Sequence, residues 1–183
     1  SMLAALALLN QAYALLARAG ACRLIAEAAR CIGADGMIGG QAADLEIRAS
    51  RGDSSALASR QLKTSALARL TLIAGAVAAG ADEMDIAALA SYGECLGAAY
   101  QICDDLLDES GESATIGKNV GQDARHLRST FTAQFGAEEA QRLALSLLTE
   151  GKQALRERFG ERRTVDLLIE AADMVIGGIR GFP

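Results

Sequence analysis

Eleven residues, Ala99-Tyr-Gln-Ile-Cys-Asp-Asp-Leu-Leu-Asp-Glu109, constrain this chain more than any others. They set three aspartates and a glutamine into a run that is otherwise apolar and helical in its spacing. At about 100° per residue, Gln101, Asp104 and Asp108 fall on one helix face, each a turn from the next, with Asp105 about a quarter-turn away. Like charges at this spacing repel, so an isolated helix gains nothing from them. Either water solvates them, as at an ordinary acidic helix end, or a cation compensates them. Oxygen-only ligands suit Mg²⁺, which keeps several waters and commonly shares phosphate oxygens with a substrate. Because the aspartates follow an apolar run that carries a lone glutamine, the stretch reads as a half-site for a metal-bound diphosphate.

The remaining sequence supplies helices to hold that half-site. With 183 residues, it fits one domain, taken as 1–183, with a sizeable core. Hydrophobic residues make up 51%, aromatics 4%, and proline occurs once, which favours Ala- and Leu-rich helices over sheets. A net charge of −5 without a basic stripe argues against nucleic acid as a partner. Cys22, Cys31, Cys95 and Cys103 lack Cys-x-x-Cys spacing and His126 is the only histidine, so a zinc site is not expected. The cysteines are expected to pack as small hydrophobes in a reducing, cytoplasmic setting. No signal-peptide pattern is present, and the uncharged runs 2–17 and 70–81 are too short for a transmembrane segment. Ser1-Met2 reads as a tag-cleavage scar in front of a start or an internal Met.

Along the chain, residues 2–18 form a helix that is apolar almost all round, predicted to be buried in a bundle. Gly20 ends it, and one long helix is predicted from Ala21 to Ala49. In its middle, Gln41 and Asp44 share a face one turn apart, either as a cavity lining or as a buried pair that pins neighbouring helices. The glycines at 39 and 40 cost roughly 1 kcal/mol each in a helix interior, so close helix contact or a ligand is expected there. Arg51 to Ser55 reads as a turn with helix-cap candidates. A third helix, about 56–79, carries Lys63-Thr64, a cation and a hydroxyl entering an apolar segment. Gly80-Ala-Asp82 is a turn with a cap, and a fourth helix runs to about Asp108. The polar, glycine-rich segment 109–121 carries Lys118 and reads as a flap over the carboxylates. Asp123 to Phe131 adds Arg125 and Arg128, and two amphipathic helices, about 137–159 and 165–179, complete an all-α bundle of six to eight helices.

Gly39-Gly-Gln-Ala-Ala-Asp44, Lys63-Thr64, Tyr100-Gln-Ile-Cys-Asp-Asp-Leu-Leu-Asp108, Gly117-Lys118 and Asp123-Ala-Arg-His-Leu-Arg-Ser-Thr-Phe131 occur in this order. Together they resemble the second half of a trans-isoprenyl (polyprenyl) diphosphate synthase, the family of farnesyl and geranylgeranyl diphosphate synthases. The resemblance implies an isoprenoid-synthase-type helical bundle without its usual N-terminal helices. It implies that Asp104 ligates Mg²⁺, while Asp105 and Asp108 hold metal-bound waters. Lys63, Lys118 and Arg128 bind the allylic diphosphate, Arg128 standing where the family usually has lysine. Thr64 and Gln101 turn oxygens toward the allylic carbocation, and Gln41 and Asp44 line the cavity. The implied reaction joins isopentenyl diphosphate to an allylic diphosphate, giving a longer trans-prenyl diphosphate.

Members of that family carry a first aspartate-rich motif, with arginines beyond it, upstream of the region matched here. No second Asp-Asp-x-x-Asp precedes Asp104, so the chain is expected to be incomplete as a synthase by itself. A homodimer is implied, or a pairing with a complete synthase. Two further readings remain: a non-catalytic partner subunit that tunes a complete synthase, and a terpene cyclase-like protein. The latter is disfavoured by only seven Phe and Tyr.

Overall fold

The structure, a computed structural model, describes residues 2–47, 55–110, 132 and 135–177. Among these the regular structure is entirely α-helical, as the composition predicts. The helices are α1 (Met2–Arg18), α2 (Cys22–Ile32), α3 (Met37–Ile47), α4 (Ser55–Ala78), α5 (Glu83–Ser110), α6 (Ala137–Phe159) and α7 (Arg163–Gly177).

α1 and α4 end by the same device. Gly20 and Gly80 adopt φ of 67° and 71°, a left-handed conformation that glycine enters without steric cost. The Gly20 and Ala21 amides donate back to the Ala17 and Leu16 carbonyls, and those of Gly80 and Ala81 to Val77 and Ala76. This paired closure satisfies the helix-terminal carbonyls. Asp82 then caps α5, its Oδ1 accepting the Asp85 N–H at 2.8 Å.

The single helix predicted from Ala21 to Ala49 is two helices. Its apolar periodicity continues through a turn at 33–36 that separates α2 from α3. A Cβ on Gly33 would collide with the Ala29 carbonyl oxygen, and one on Gly36 with that of Cys31. Two glycines three apart let the chain change direction where the hydrophobic pattern gives no sign of it.

The long helix α5 lies between α4 and α6. Gly93 and Gly97, one turn apart, face α4. A Cβ at Gly97 would stand 2.5 Å from the Ser65 Cα, and one at Gly93 2.8 Å from the Arg69 Cα. The two backbones therefore touch. On the opposite side, Gly151 of α6 packs where a Cβ would be 3.1 Å from the Tyr92 ring. Around these contacts, Ala99, Ile102 and Cys103 of α5 pack with Ala140, Ala144 and Leu148 of α6. Tyr92 packs with Leu155, Val165 and Ile169. A third group, Leu24, Ile73, Ala76, Ile86 and Ala90, joins α2, α4 and the start of α5. Ion pairs bind the ends together: Arg158 reaches both Asp82 and Asp85 at 2.7 Å, and Arg23 pairs with Glu83.

Two expectations about burial are corrected. α1 was expected inside a bundle, yet none of its residues is buried, and Leu3 and Leu8 are 78% and 73% exposed. Leucines point in every direction around this helix, and its described contacts, mainly with α2, cover only one of them. Of the four cysteines, Cys31, Cys95 and Cys103 are buried, but Cys22 is exposed at the start of α2; all four are free thiols. Among the described residues, no helix is long and apolar enough to cross a membrane.

Candidate functional site

The close approach of Gly97 to Ser65 dictates what its neighbours can reach. Thr64 precedes Ser65 on α4, and Gln101 lies one turn beyond Gly97 on α5. With the backbones in contact, Thr64 Oγ1 donates a hydrogen bond to Gln101 Oε1 at 2.9 Å. The other end of the same amide, Gln101 Nε2, donates to Asp105 Oδ1 at 3.1 Å. Asp105 is 3% exposed. The helical wheel groups Gln101 with Asp104; in the structure its hydrogen-bond partner on α5 is Asp105, one turn on.

Beside this chain of bonds, Lys63 Nζ donates to Gln41 Oε1 at 3.2 Å, which ties α4 to α3. An ammonium has three donors, so this bond leaves the lysine able to bind an anion as well. Of the two readings left open for Gln41, the structure joins it to the predicted lysine. Asp104 is half-buried, one residue before Asp105. The backbones of Asp44 and Asp108 belong to α3 and α5, but their side chains lie outside the described residues, as do Lys118 and Arg128 altogether. Lys63, Thr64, Gln101 and Asp105 are thus brought together on two touching helices, with Gln41 joined from a third.

No group of three or more His, Cys, Asp or Glu able to hold a metal occurs among the described residues. Asp104 and Asp105 supply oxygen donors of the type Mg²⁺ takes, and the third carboxylate of the motif is Asp108. Cys103, adjacent to Asp104 in sequence, belongs to the core. Burial pushes its thiol up to about 12, so it stays protonated and unreactive near neutral pH.

A cavity of about 390 Å³ opens beside the same stretch of α4, lined by Leu62, Ala66 and Arg69 of α4, Glu94 and Ala98 of α5, Arg30 of α2 and Glu150 of α6. None of Lys63, Thr64, Gln101, Asp104 or Asp105 lines it. The site is therefore assigned from the converging polar side chains and not from the hollow. Sequence reasoning missed Gly93 and Gly97, which make the site possible; their four-residue spacing within one helix was the available signal.

Comparison with known proteins identifies the family and the fold. Residues 1–165 match the polyprenyl synthetase family. The chain is 35% identical over 155 residues to the farnesyl diphosphate synthase of Escherichia coli (strain K12), covering 84% of this chain and 52% of that protein. Its fold resembles an FPP/GFPP synthase from Zymomonas mobilis, with a TM-score of 0.68, 30% identity, and coverage of 84% of this chain and 50% of the other. It also resembles a geranyltransferase from Helicobacter pylori solved with magnesium and isoprenyl diphosphate. There the TM-score is 0.68 and the identity 28%, over 86% of this chain and 51% of that one. The chain thus spans about half the length of these relatives.

Proposed function

This chain belongs to the polyprenyl synthetase family, and from that premise we propose that it carries the allylic half of a prenyltransferase site, within one helical domain, 1–183. The reaction joins isopentenyl diphosphate to an allylic diphosphate and yields a longer trans-prenyl diphosphate. The observation that carries this reading is the hydrogen-bonded chain Thr64–Gln101–Asp105 beside Lys63 and Asp104. A relative of the same fold holds magnesium and isoprenyl diphosphate.

Breaking an allylic C–O bond separates an anionic diphosphate from a carbocation, and each side needs different surroundings. Lys63, with Lys118 and Arg128 from the segment beyond α5, binds the diphosphate. Asp104 would hold Mg²⁺ directly, with Asp105 and Asp108 around its waters, and when bound the ion neutralises the leaving diphosphate's charge. Thr64 and Gln101 present oxygen dipoles to the carbocation, fixed in advance and so free of reorganisation cost. Gln41, bonded to Lys63, and Asp44 complete the polar lining of that site. The apolar helices around the site exclude water, which would otherwise capture the cation.

Because the matched relatives are about twice as long, we place the isopentenyl diphosphate site and the opposing metal ligands in a companion region. We place the protein in the cytoplasm. The uncovered apolar surface of α1 supports association with a second copy or with a complete synthase subunit. The test is incorporation of labelled isopentenyl diphosphate into butanol-extractable product, with Mg²⁺ and an allylic starter, on protein of known intact mass. Asp104→Ala should lower product formation by roughly a hundredfold or more. Activity that survives this substitution would overturn the assignment. Product from the wild type at the mass of 183 residues would show that this chain needs no companion.

A further inference from the structure

We infer that Asp105 is a positioning residue that sets the direction of every hydrogen bond in the chain Thr64–Gln101–Asp105, and thereby which face of the Thr64 hydroxyl is offered to the reacting cation. The inference rests on the prenyltransferase reading for its consequence, but not for its physical basis.

A carboxylate oxygen without a proton can only accept a hydrogen bond. Asp105 is 3% exposed and its Oδ1 accepts from Gln101 Nε2 at 3.1 Å, so the NH₂ end of that amide faces it. The carbonyl end of Gln101 then faces Thr64, and a carbonyl can only accept. Thr64 must therefore donate its single hydroxyl proton to Gln101, as it does at 2.9 Å. With the proton committed, the lone pairs of Oγ1 are what Thr64 can offer to a third group. An amide without such an anchor can reverse. Were it reversed, its NH₂ would donate to Thr64, and the hydroxyl would turn its proton outward, a dipole of the wrong sign for a carbocation.

Asp105→Asn keeps the size of the side chain but can donate as well as accept, so it frees the chain to adopt either direction. The first test is a double-mutant cycle in urea unfolding with Asp105→Asn and Thr64→Val, two residues that Gln101 joins by its two amide ends. The two losses should be non-additive, and the coupling should vanish in a Gln101→Met background. Additive losses with Gln101 in place would overturn the inference, whatever the protein catalyses. The second test compares binding, in Mg²⁺, of an allylic diphosphate analogue carrying an ammonium at the cationic carbon with its neutral carbon isostere. Asp105→Asn should weaken the ammonium analogue roughly tenfold more than the neutral isostere, about the size of one hydrogen bond to a charged group, whatever both lose alike through the metal. Equal weakening of both analogues would mean that Asp105 acts only on the metal and diphosphate, and would overturn the positioning role. If neither analogue binds the wild type while the cycle shows coupling, the prenyltransferase reading fails and the set direction of the chain stands.

Discussion

α1 is richer in Ala and Leu, and carries fewer polar residues, than either α4 or α5, yet it is the helix left uncovered. α4 and α5 approach until a Cβ at Gly97 would be 2.5 Å from the neighbouring backbone. In α1 no residue is buried at all. What separates them is not hydrophobicity but its arrangement. α5 carries two glycines one turn apart on the side that meets α4, so the backbones can touch and short side chains such as Thr64 and Gln101 reach across. α1 has no glycine and leucines on every side, so no single face is matched to a neighbour. Apolar content says that a helix needs cover; small residues in register say which helix supplies it.

The sharpest way to break that contrast is Gly97→Leu. Overpacking a filled site usually costs about 1–3 kcal/mol, and here the obstacle is backbone, so the loss should lie at the top of that range or beyond. The urea midpoint should fall accordingly, and the Thr64–Gln101 bond should be lost with it. Gly75 of α4 is the matched control, because a Cβ there meets nothing within 4 Å. Gly75→Ala should raise stability by about 0.5–1 kcal/mol, since alanine has less conformational freedom to lose in a helix. If both substitutions had the same sign, contact between the two helices would not be what glycine serves in α5.

Tyr92 offers a smaller and pH-dependent test of the same core. Its hydroxyl donates to the Leu168 carbonyl at 2.7 Å, and burial, with a contribution from Asp173, pushes the phenol up to about 12. A phenol that ionises later in the folded state than in the unfolded one favours folding while it is neutral. That contribution is whole below the free phenol's value near 10 and is lost as pH rises from there toward 12. Tyr92→Phe should cost about 1 kcal/mol at neutral pH through the lost hydrogen bond, and should flatten the alkaline fall in the urea midpoint. An unchanged slope between pH 9 and pH 12 would show that another group drives that fall.

Much of this was legible from sequence, for identifiable reasons. The end of α1 at Gly20 and the Asp82 cap are local: the turn chemistry lies within a few residues of its effect. The Gln101–Asp105 bond lies within reach of helix spacing, since the two are four residues apart. The Thr64–Gln101 bond is not, because it joins residues 37 apart and exists only through backbone contact at Gly97. The break between α2 and α3 was hidden because apolar periodicity runs across Gly33 and Gly36 undisturbed. The burial expected for α1 failed for a further reason: periodicity reports the demand for cover, and the cover depends on what else is present to pack.

That demand yields the smallest expected effect on stability and the one that best sharpens the contrast. Leu3→Gln and Leu8→Gln replace side chains that are 78% and 73% exposed in this chain. Surface substitutions away from packed features usually stay within about 0.5 kcal/mol, so the urea midpoint at low protein concentration should barely move. Association should respond differently. An exposed patch of leucines is the kind of surface that another subunit covers, and each glutamine places polar atoms where that contact would form. Sedimentation of the wild type should show a concentration-dependent rise in mass that the paired variant loses. A monomeric wild type, or a variant that associates as strongly, would mean that α1 is not the contact surface. A large fall in the midpoint would mean instead that α1 is packed within the monomer, and the contrast with α4–α5 would collapse.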